Sequence, residues 1–207
     1  MKESEKFNVN GIKGVVHYKS NKFIVCCHGL FSSKNSRKYM EIAEVANEKG
    51  ISCMRFDFRG CGESDGKFSY KLEDRLKDLE EVMKYLARRY GSIKCALFGS
   101  SLGGMVAIKY AANREISSLA ILATPYKFEI DNYVADITAE IEKCSHLLVM
   151  HGLKDELVPY KHAELIYRKA KEPKKILFFN TNHSFTDENE RRRAINEAVK
   201  WIEKYFV

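Results

Sequence analysis

Residues 95–113 read CALFGSSLGGMVAIKYAAN, in which an apolar run passes through a cluster of glycines and serines into apolar residues at helical spacing. A strand that turns into a helix within one or two residues strains the turn residue, and the residues two positions away must be almost free of side chains. Gly99 and Gly103 flank Ser101 at that spacing. The stretch therefore predicts a strand, a sharp turn at Ser101 and a helix, with the Ser101 hydroxyl exposed above a sheet.

Two other serines compete for the same interpretation. If Ser100 were the turn residue, Phe98 and Leu102 would occupy the crowded positions, which disfavours it. A second Gly-x-Ser-x-Gly pentad, GESDG at 62–66, contains Ser64 between two acidic residues and is followed by KFSYK rather than directly by an apolar helix. Ser64 is therefore predicted to be a loop or capping serine.

Composition limits the remaining possibilities. The chain has 207 residues, 45% of them hydrophobic and 30% charged, which predicts one globular domain over 1–207. No apolar stretch approaches the roughly 18 residues of a membrane-spanning helix, and the first ten residues, MKESEKFNVN, lack the apolar region of a secretory signal. We therefore expect a soluble, cytoplasmic protein.

Cysteines and charge argue against several classes of partner. The six cysteines form no C-x-x-C pair and most lie in apolar runs, which favours buried thiols over a disulfide or zinc framework. The net charge of +7 comes from interspersed charges, and the densest basic run, ERRRAINEAVKWIEKYF, has the periodicity of an amphipathic helix. Neither a metal site nor a nucleic-acid partner is predicted, and the oligomeric state stays open.

Strand-like and helical patterns alternate along the chain. This alternation predicts an α/β fold with a mostly parallel, twisted sheet of about eight strands and helices on both faces. An antiparallel hairpin with its turn at Asn10-Gly11 opens the sheet. A short connection over about 125–144 is predicted to hold one helix, in NYVADITAEIEKC. Its apolar stripe would contain Tyr133, Val134, Ile137 and Ile141.

A serine nucleophile needs a base and an orienting carboxylate from strand ends at the same sheet edge. In this architecture the chain order is serine, acid, histidine. Asp155 follows an apolar strand in VMHGLKDELVP, and His183 follows the next strand in FFNTNHSF. These residues are the predicted partners of Ser101, with Asp131 and Asp136 as alternative acids.

The stretch CCHGLFSS supplies the predicted oxyanion hole. It ends a strand at His28-Gly29, and the Leu30 amide that follows is predicted to pair with the Leu102 amide around a carbonyl oxygen that becomes negative. His28 is then a bracing residue rather than a base. His151, at the end of its strand, is predicted to support the site.

Five segments together resemble the α/β-hydrolase superfamily, in particular its esterase, lipase and serine aminopeptidase-like serine hydrolases with a minimal cap. These segments are HGLFSSK, RFDFRGCGESDGK, GSSLGG, HGLKDELVP and NHSF. The resemblance implies Ser101 as nucleophile, His183 as base and Asp155 as acid. It also implies oxyanion donors at Leu30 and Leu102, and no cofactor. Supporting positions are His28, Gly29, Gly99 and Gly103.

The expected activity is that of a serine hydrolase, a carboxylesterase that cleaves small or short-chain acyl esters through an acyl-enzyme on Ser101. A thioesterase or an acyl-peptide or aminopeptidase-type hydrolase would use the same triad. From a different class, a non-catalytic binding protein on a hydrolase scaffold has no physical need to keep all of these parts. The natural substrate is not readable from these motifs.

Overall fold

The dominant feature of the fold is an eight-stranded sheet, seen in a computed structural model that describes residues 4–206. The strands of this part of the chain are β1 (Glu5–Val9), β2 (Ile12–His17), β3 (Lys22–Cys27), β4 (Ser52–Phe56), β5 (Lys94–Ser100), β6 (Leu119–Leu122), β7 (Lys127–Ile130), β8 (Tyr133–Asp136), β9 (Leu147–Gly152) and β10 (Lys174–Phe179). Its helices are α1 (Arg37–Glu48), α2 (Leu72–Tyr90), α3 (Leu102–Ala111), α4 (Thr138–Ile141), α5 (Lys161–Lys169) and α6 (Glu188–Lys204).

The strand order of the large sheet is β1-β2-β4-β3-β5-β6-β9-β10. β2 is antiparallel to both of its neighbours, and all other pairs from β4 to β10 are parallel. The β1–β2 hairpin turns at Asn10 and Gly11, which both have positive φ angles (51° and 85°), as a two-residue hairpin turn requires. The predicted sheet is confirmed, including its antiparallel N-terminal hairpin.

Alternation along the strands creates two apolar cores. In β3, Phe23 and Val25 face the core covered by α2, α3 and α5, whereas Ile24 and Cys26 face the core covered by α1 and α6. Parallel strands buried on both faces carry such continuous apolar runs. All six cysteines are free and buried in these cores, as predicted. Within residues 4–206, no helix has the length and apolar content needed to cross a bilayer.

The predicted helix in the 125–144 connection is wrong. Residues 127–136 form an antiparallel hairpin, β7 and β8, and only a single turn of helix, α4, follows. Asp131 adopts a φ of 53° at the turn, and the aromatic and β-branched residues around it favour strands. The apolar spacing of Tyr133, Val134, Ile137 and Ile141 fits a helix, but the turn at Asp131-Asn132 pairs β8 with β7, which leaves only α4 helical.

Candidate active site

Ser101 is the turn residue between β5 and α3, with φ 55° and ψ −125°. The flanking glycines permit this conformation. A Cβ on Gly103 would collide with the carbonyl oxygens of Cys27 and His28. A Cβ on Gly99 would lie 2.5 Å from the carbonyl oxygen of Gly103. The helix can therefore start directly against the end of β3, and the turn register deduced from the sequence is the observed one.

Three predicted residues from different strand ends are joined by hydrogen bonds. The His183 Nε2 atom lies 3.1 Å from the Ser101 Oγ atom, and the His183 Nδ1 atom lies 2.8 Å from the Asp155 Oδ2 atom. The Asp155 side chain is buried, and that of His183 is 14% exposed. Because Asp155 can only accept, Nδ1 carries the proton, which leaves the Nε2 lone pair free for the Ser101 hydroxyl.

The loops after β9 and β10 are held against each other, which brings the acid and the histidine together. The Leu153 amide donates to the Phe179 carbonyl oxygen (2.8 Å), and the Lys154 amide donates to the Thr181 carbonyl oxygen (3.0 Å). A Cβ at Gly152 would collide with that same Thr181 oxygen. The two loops therefore approach too closely for any side chain at Gly152.

The Asp155 carboxylate accepts hydrogen bonds on both oxygens. Oδ1 accepts from the amides of Leu157 (3.0 Å) and Val158 (2.8 Å), while Oδ2 accepts from His183 and from His151 Nε2 (3.1 Å). Burial by itself raises the pKa of this carboxyl, but the hydrogen bonds from His151, His183 and Val158 outweigh it and hold the pKa well below its usual value. The group is a fixed carboxylate at neutral pH.

His151 supports the acid, as expected from its position. Its Nε2 atom also lies 2.8 Å from the carbonyl oxygen of Val158, so this nitrogen donates to two acceptors. The alternative acids lie elsewhere. Asp131 accepts from the Tyr70 hydroxyl (3.1 Å), and Asp136 accepts from the Thr138 amide (2.9 Å).

His28 braces the loop that follows β3. Its Nε2 atom accepts from the Phe58 amide (3.0 Å), so Nδ1 carries the proton and donates to the Gly29 carbonyl oxygen (2.8 Å). Burial lowers the pKa of His28 to about 4, which leaves the ring uncharged at neutral pH. A ring used on both nitrogens in this way cannot act as a base.

The Gly29-Leu30 peptide lies beside the Ser101 side chain. A Cβ on Gly29 would be 3.2 Å from the Ser101 Cβ atom and 3.8 Å from its Oγ atom. Within residues 4–206, the amides of Leu30 and Leu102 have no protein acceptor. Two free amide donors therefore flank the hydroxyl, which is the arrangement that a negative carbonyl oxygen needs.

Ser64 in the second pentad has structural partners instead. Its hydroxyl donates to the Asp57 carbonyl oxygen (2.6 Å) and accepts from the Lys13 amide (2.8 Å). The Asp57 carboxylate in turn accepts from the buried Lys34 ammonium (2.6 Å) and from the Glu63 amide (2.9 Å). The Ser64 hydroxyl thus links β2 to the loop after β4.

The family model "Serine aminopeptidase, S33" matches residues 18–143, more than half of the chain. The chain belongs to this family. A second model, "Prolyl oligopeptidase family", matches residues 124–207.

Two solved structures show that this family member has the α/β-hydrolase fold. An esterase of Pyrococcus furiosus superposes with a TM-score of 0.88 over 99% of this chain and 92% of its own, at 17% identity. A serine hydrolase of Xanthomonas campestris, described as lacking a lid, superposes with a TM-score of 0.79 over 97% and 95% of the two chains, at 22% identity.

Curated relatives are longer than this α/β-hydrolase. The uncharacterized protein YfhR of Escherichia coli (strain K12) is 24% identical over 178 residues, which cover 74% of this chain and 60% of the relative. A proline iminopeptidase of Saccharolobus solfataricus is 32% identical over 117 residues, which cover 52% and 36% of the two chains. The chain thus spans about 60% of the length of relatives such as YfhR.

One charged side chain near Ser101 of this α/β-hydrolase has no signal in the sequence. Lys38 on α1 donates from Nζ to the Ser100 hydroxyl (3.1 Å). Burial lowers the pKa of Lys38 to about 8; the nearby Arg191 charge adds to this effect and Asp155 opposes it. No motif marks Lys38, because its position depends on how α1 packs against β4 and α6. In the described part of the chain, no three His, Cys, Asp or Glu side chains cluster as metal ligands would.

Proposed function

We propose that this α/β-hydrolase is a serine carboxylesterase that acts on small or short-chain acyl esters. The observation that carries the proposal is the unbroken hydrogen-bond chain from Asp155 through His183 to Ser101, beside the two free amides of Leu30 and Leu102. Each of these groups matches one requirement of acyl transfer: a nucleophile, its base, an orienting anion and two oxyanion donors.

In the proposed reaction, His183 Nε2 takes the hydroxyl proton as Ser101 Oγ attacks the ester carbonyl carbon. The carbonyl oxygen becomes negative and receives hydrogen bonds from the Leu30 and Leu102 amides. His183 then gives its proton to the departing alcohol, which leaves an acyl group on Ser101. A water molecule repeats the sequence in reverse and releases the carboxylic acid. Asp155 stays ionised throughout and stabilises the His183 imidazolium.

The hairpin of β7 and β8 supports a preference for small acyl groups. It is the segment where a cap would lie, and it is short and fixed to the start of α2. The Tyr133 hydroxyl accepts from the Leu72 amide (2.8 Å) and donates to the Glu73 carboxylate (2.9 Å). A segment of this size cannot enclose a long chain, and it offers little lid for a lipid surface to displace.

An aminopeptidase-type hydrolase is the second candidate, because the matching family model and the Saccharolobus solfataricus relative carry peptidase names. An aminopeptidase must bind the α-ammonium group of its substrate. Lys38 places a positive charge next to Ser100, where it would repel that group. This charge favours the ester over the aminoacyl amide.

A substrate panel combined with fluorophosphonate labelling tests the proposal. We expect labelling of Ser101 and the highest kcat/KM with acetyl to butanoyl esters, lower values with thioesters and aminoacyl amides, and no rate increase on emulsification. Ser101→Ala is the matched control for both readouts. A wild-type protein that neither labels nor turns over any ester contradicts the proposal, and a maximum with aminoacyl amides selects the second candidate.

A further inference from the structure

Arg75 is a buried cation without an anionic partner. It lies on α2, is 1% exposed, and has no carboxylate oxygen within ion-pair distance among residues 4–206. The neighbouring carboxylate, Asp78, is bound to Arg59 instead. A buried guanidinium stays protonated at neutral pH and is expensive to keep unpaired. Its retention calls for a physical reason.

The Arg75 guanidinium contacts the loop after β3, which contains Gly29 and Leu30. Nε donates to the Ser69 carbonyl oxygen (2.9 Å), and Nη2 lies 3.6 Å from the Cys61 sulfur. Nη1 donates to the Gly29 carbonyl oxygen (3.5 Å). The guanidinium carbon lies 4.8 Å from the centre of the Phe58 ring, whose face offers partial compensation for the charge.

The Gly29 carbonyl is therefore held by two donors, Arg75 Nη1 and His28 Nδ1. A peptide group is planar and trans, so fixing the direction of the Gly29 carbonyl also fixes the opposite direction of the Leu30 amide. Leu30 is one of the two free donors beside Ser101. A positive charge at the carbonyl end also polarises the peptide and strengthens the Leu30 amide as a donor.

We propose that Arg75 is a positioning residue of the oxyanion site, which aims and polarises the Leu30 amide through the Gly29 carbonyl. This inference rests on the proposed function, because it assigns Leu30 to the developing oxyanion. Removing a direct oxyanion donor lowers kcat by about 10²–10³. Arg75 acts through one intervening peptide, so its loss lowers kcat by about 10-fold to 100-fold.

The test compares Arg75→Met and Arg75→Lys with the control Arg59→Met, which removes a nearby cation that does not contact Gly29. We expect Arg75→Met to lower kcat by that factor with KM within about twofold, and to weaken an aryl boronic acid, which mimics the tetrahedral intermediate, by a similar factor. Arg59→Met should leave kcat unchanged. A merely structural role would instead lower the fraction of folded protein without changing kcat per active site.

The Leu30 amide resonance gives a readout that does not require turnover. We expect it to shift in Arg75→Met and Arg75→Lys and to stay in place in Arg59→Met. If Arg75→Met does not fold, Arg75→Lys decides, because it keeps the charge but cannot bridge Ser69 and Gly29. Wild-type kcat together with an unmoved Leu30 amide overturns the inference. A wild-type protein inert to esters and fluorophosphonate refutes the proposed function instead, and an unmoved Leu30 amide still refutes the positioning role.

Discussion

Two segments of this chain, residues 62–66 and 99–103, have the same Gly-x-Ser-x-Gly pattern, but their serine hydroxyls have different hydrogen-bond partners. Ser101 stands at a strained turn, with a histidine on one side and two free amides on the other. The Ser64 hydroxyl is saturated by an amide donor and a carbonyl acceptor. Residues 62–66 lie in the loop after β4, and residues 99–103 form the end of β5 and its turn into α3. In the sheet, β3 separates these two strands.

The difference shows that the pentad alone does not define a nucleophile. A hydroxyl with two backbone partners has neither a base to remove its proton nor space for a carbonyl carbon. What separates the two serines is the identity of the strand ends around them. The loop after β10 brings His183 to Ser101, whereas Ser64 is bound by the Lys13 amide of β2 and the Asp57 carbonyl after β4.

The largest expected effect separates the two serines directly. Ser101→Ala should abolish ester hydrolysis and fluorophosphonate labelling and leave the fold intact, because the hydroxyl has no structural role. Ser64→Ala should keep kcat and lower the free energy of unfolding by about 1 kcal/mol, since two part-buried backbone groups lose a partner. Steady-state kinetics and urea denaturation measure the two quantities. An active Ser101→Ala protein labelled at another residue would reverse the assignment.

Asp155 near Ser101 and Asp57 near Ser64 should also differ in their effect on kcat. Asp155→Asn and His183→Ala should each lower kcat by about 10³ or more with smaller effects on KM, and adding Ser101→Ala should have little further effect. Asp57→Asn should leave kcat of the folded protein near wild type but destabilise it by about 1.5–3 kcal/mol, because Lys34 loses one of its two carboxylate partners and keeps Glu63. A nearly silent Asp155→Asn would contradict the proposed role of Asp155, since Asp131 and Asp136 are bound elsewhere.

The closing glycines of the two pentads provide a third contrast. A methyl group at Gly103 collides with two backbone carbonyl oxygens, so Gly103→Ala should cost about 3 kcal/mol or more and displace Ser101. Gly66 has a φ of 93°, and a Cβ there would lie 3.4 Å from flexible Arg59 side-chain atoms. Gly66→Ala should therefore cost only about 1–2 kcal/mol of backbone strain. Equal destabilisation of the two variants, measured by thermal unfolding, would contradict the packing argument.

His28 connects the two loops, because it bonds Phe58 on one side and Gly29 on the other. Its pKa of about 4 in the folded protein lies below the ordinary value of 6.5, so the unfolded chain binds more protons between these values. The stability that His28 contributes is complete above pH 6.5 and is lost as the pH falls toward 4, by about 3 kcal/mol in total. Asp155 titrates below this window.

Denaturation of wild type and His28→Gln across pH 4 to 7 tests this smaller effect. The variant should show a flatter dependence of unfolding free energy on pH than the wild type. Parallel curves would mean that another group carries the dependence.

The sequence was sufficient for the parts of the site that depend on local chemistry. The turn at Ser101 follows from glycine spacing, and the positions of Asp155 and His183 follow from strand ends in chain order. Arg75 and Lys38 were not predictable, because α2 and α1 bring them to the site and no local pattern records that packing. The hairpin over 127–136 was missed because its apolar spacing also satisfies a helix. There the turn at Asp131, rather than periodicity, decides the structure.

Ser101 and His183 follow strands with unequal protection. β5 is bonded to β3 and β6 and is almost entirely buried. Among the described residues 4–206, β10 is bonded to β9 alone, and its residues are mostly half-buried. Fraying of an edge strand requires far less free energy than opening of a central one. We therefore expect heating to withdraw His183 from Ser101 while the rest of the sheet is still folded. Catalysis would be lost at a lower temperature than that of global unfolding. It would return on cooling, since only β10 has to pair with β9 again.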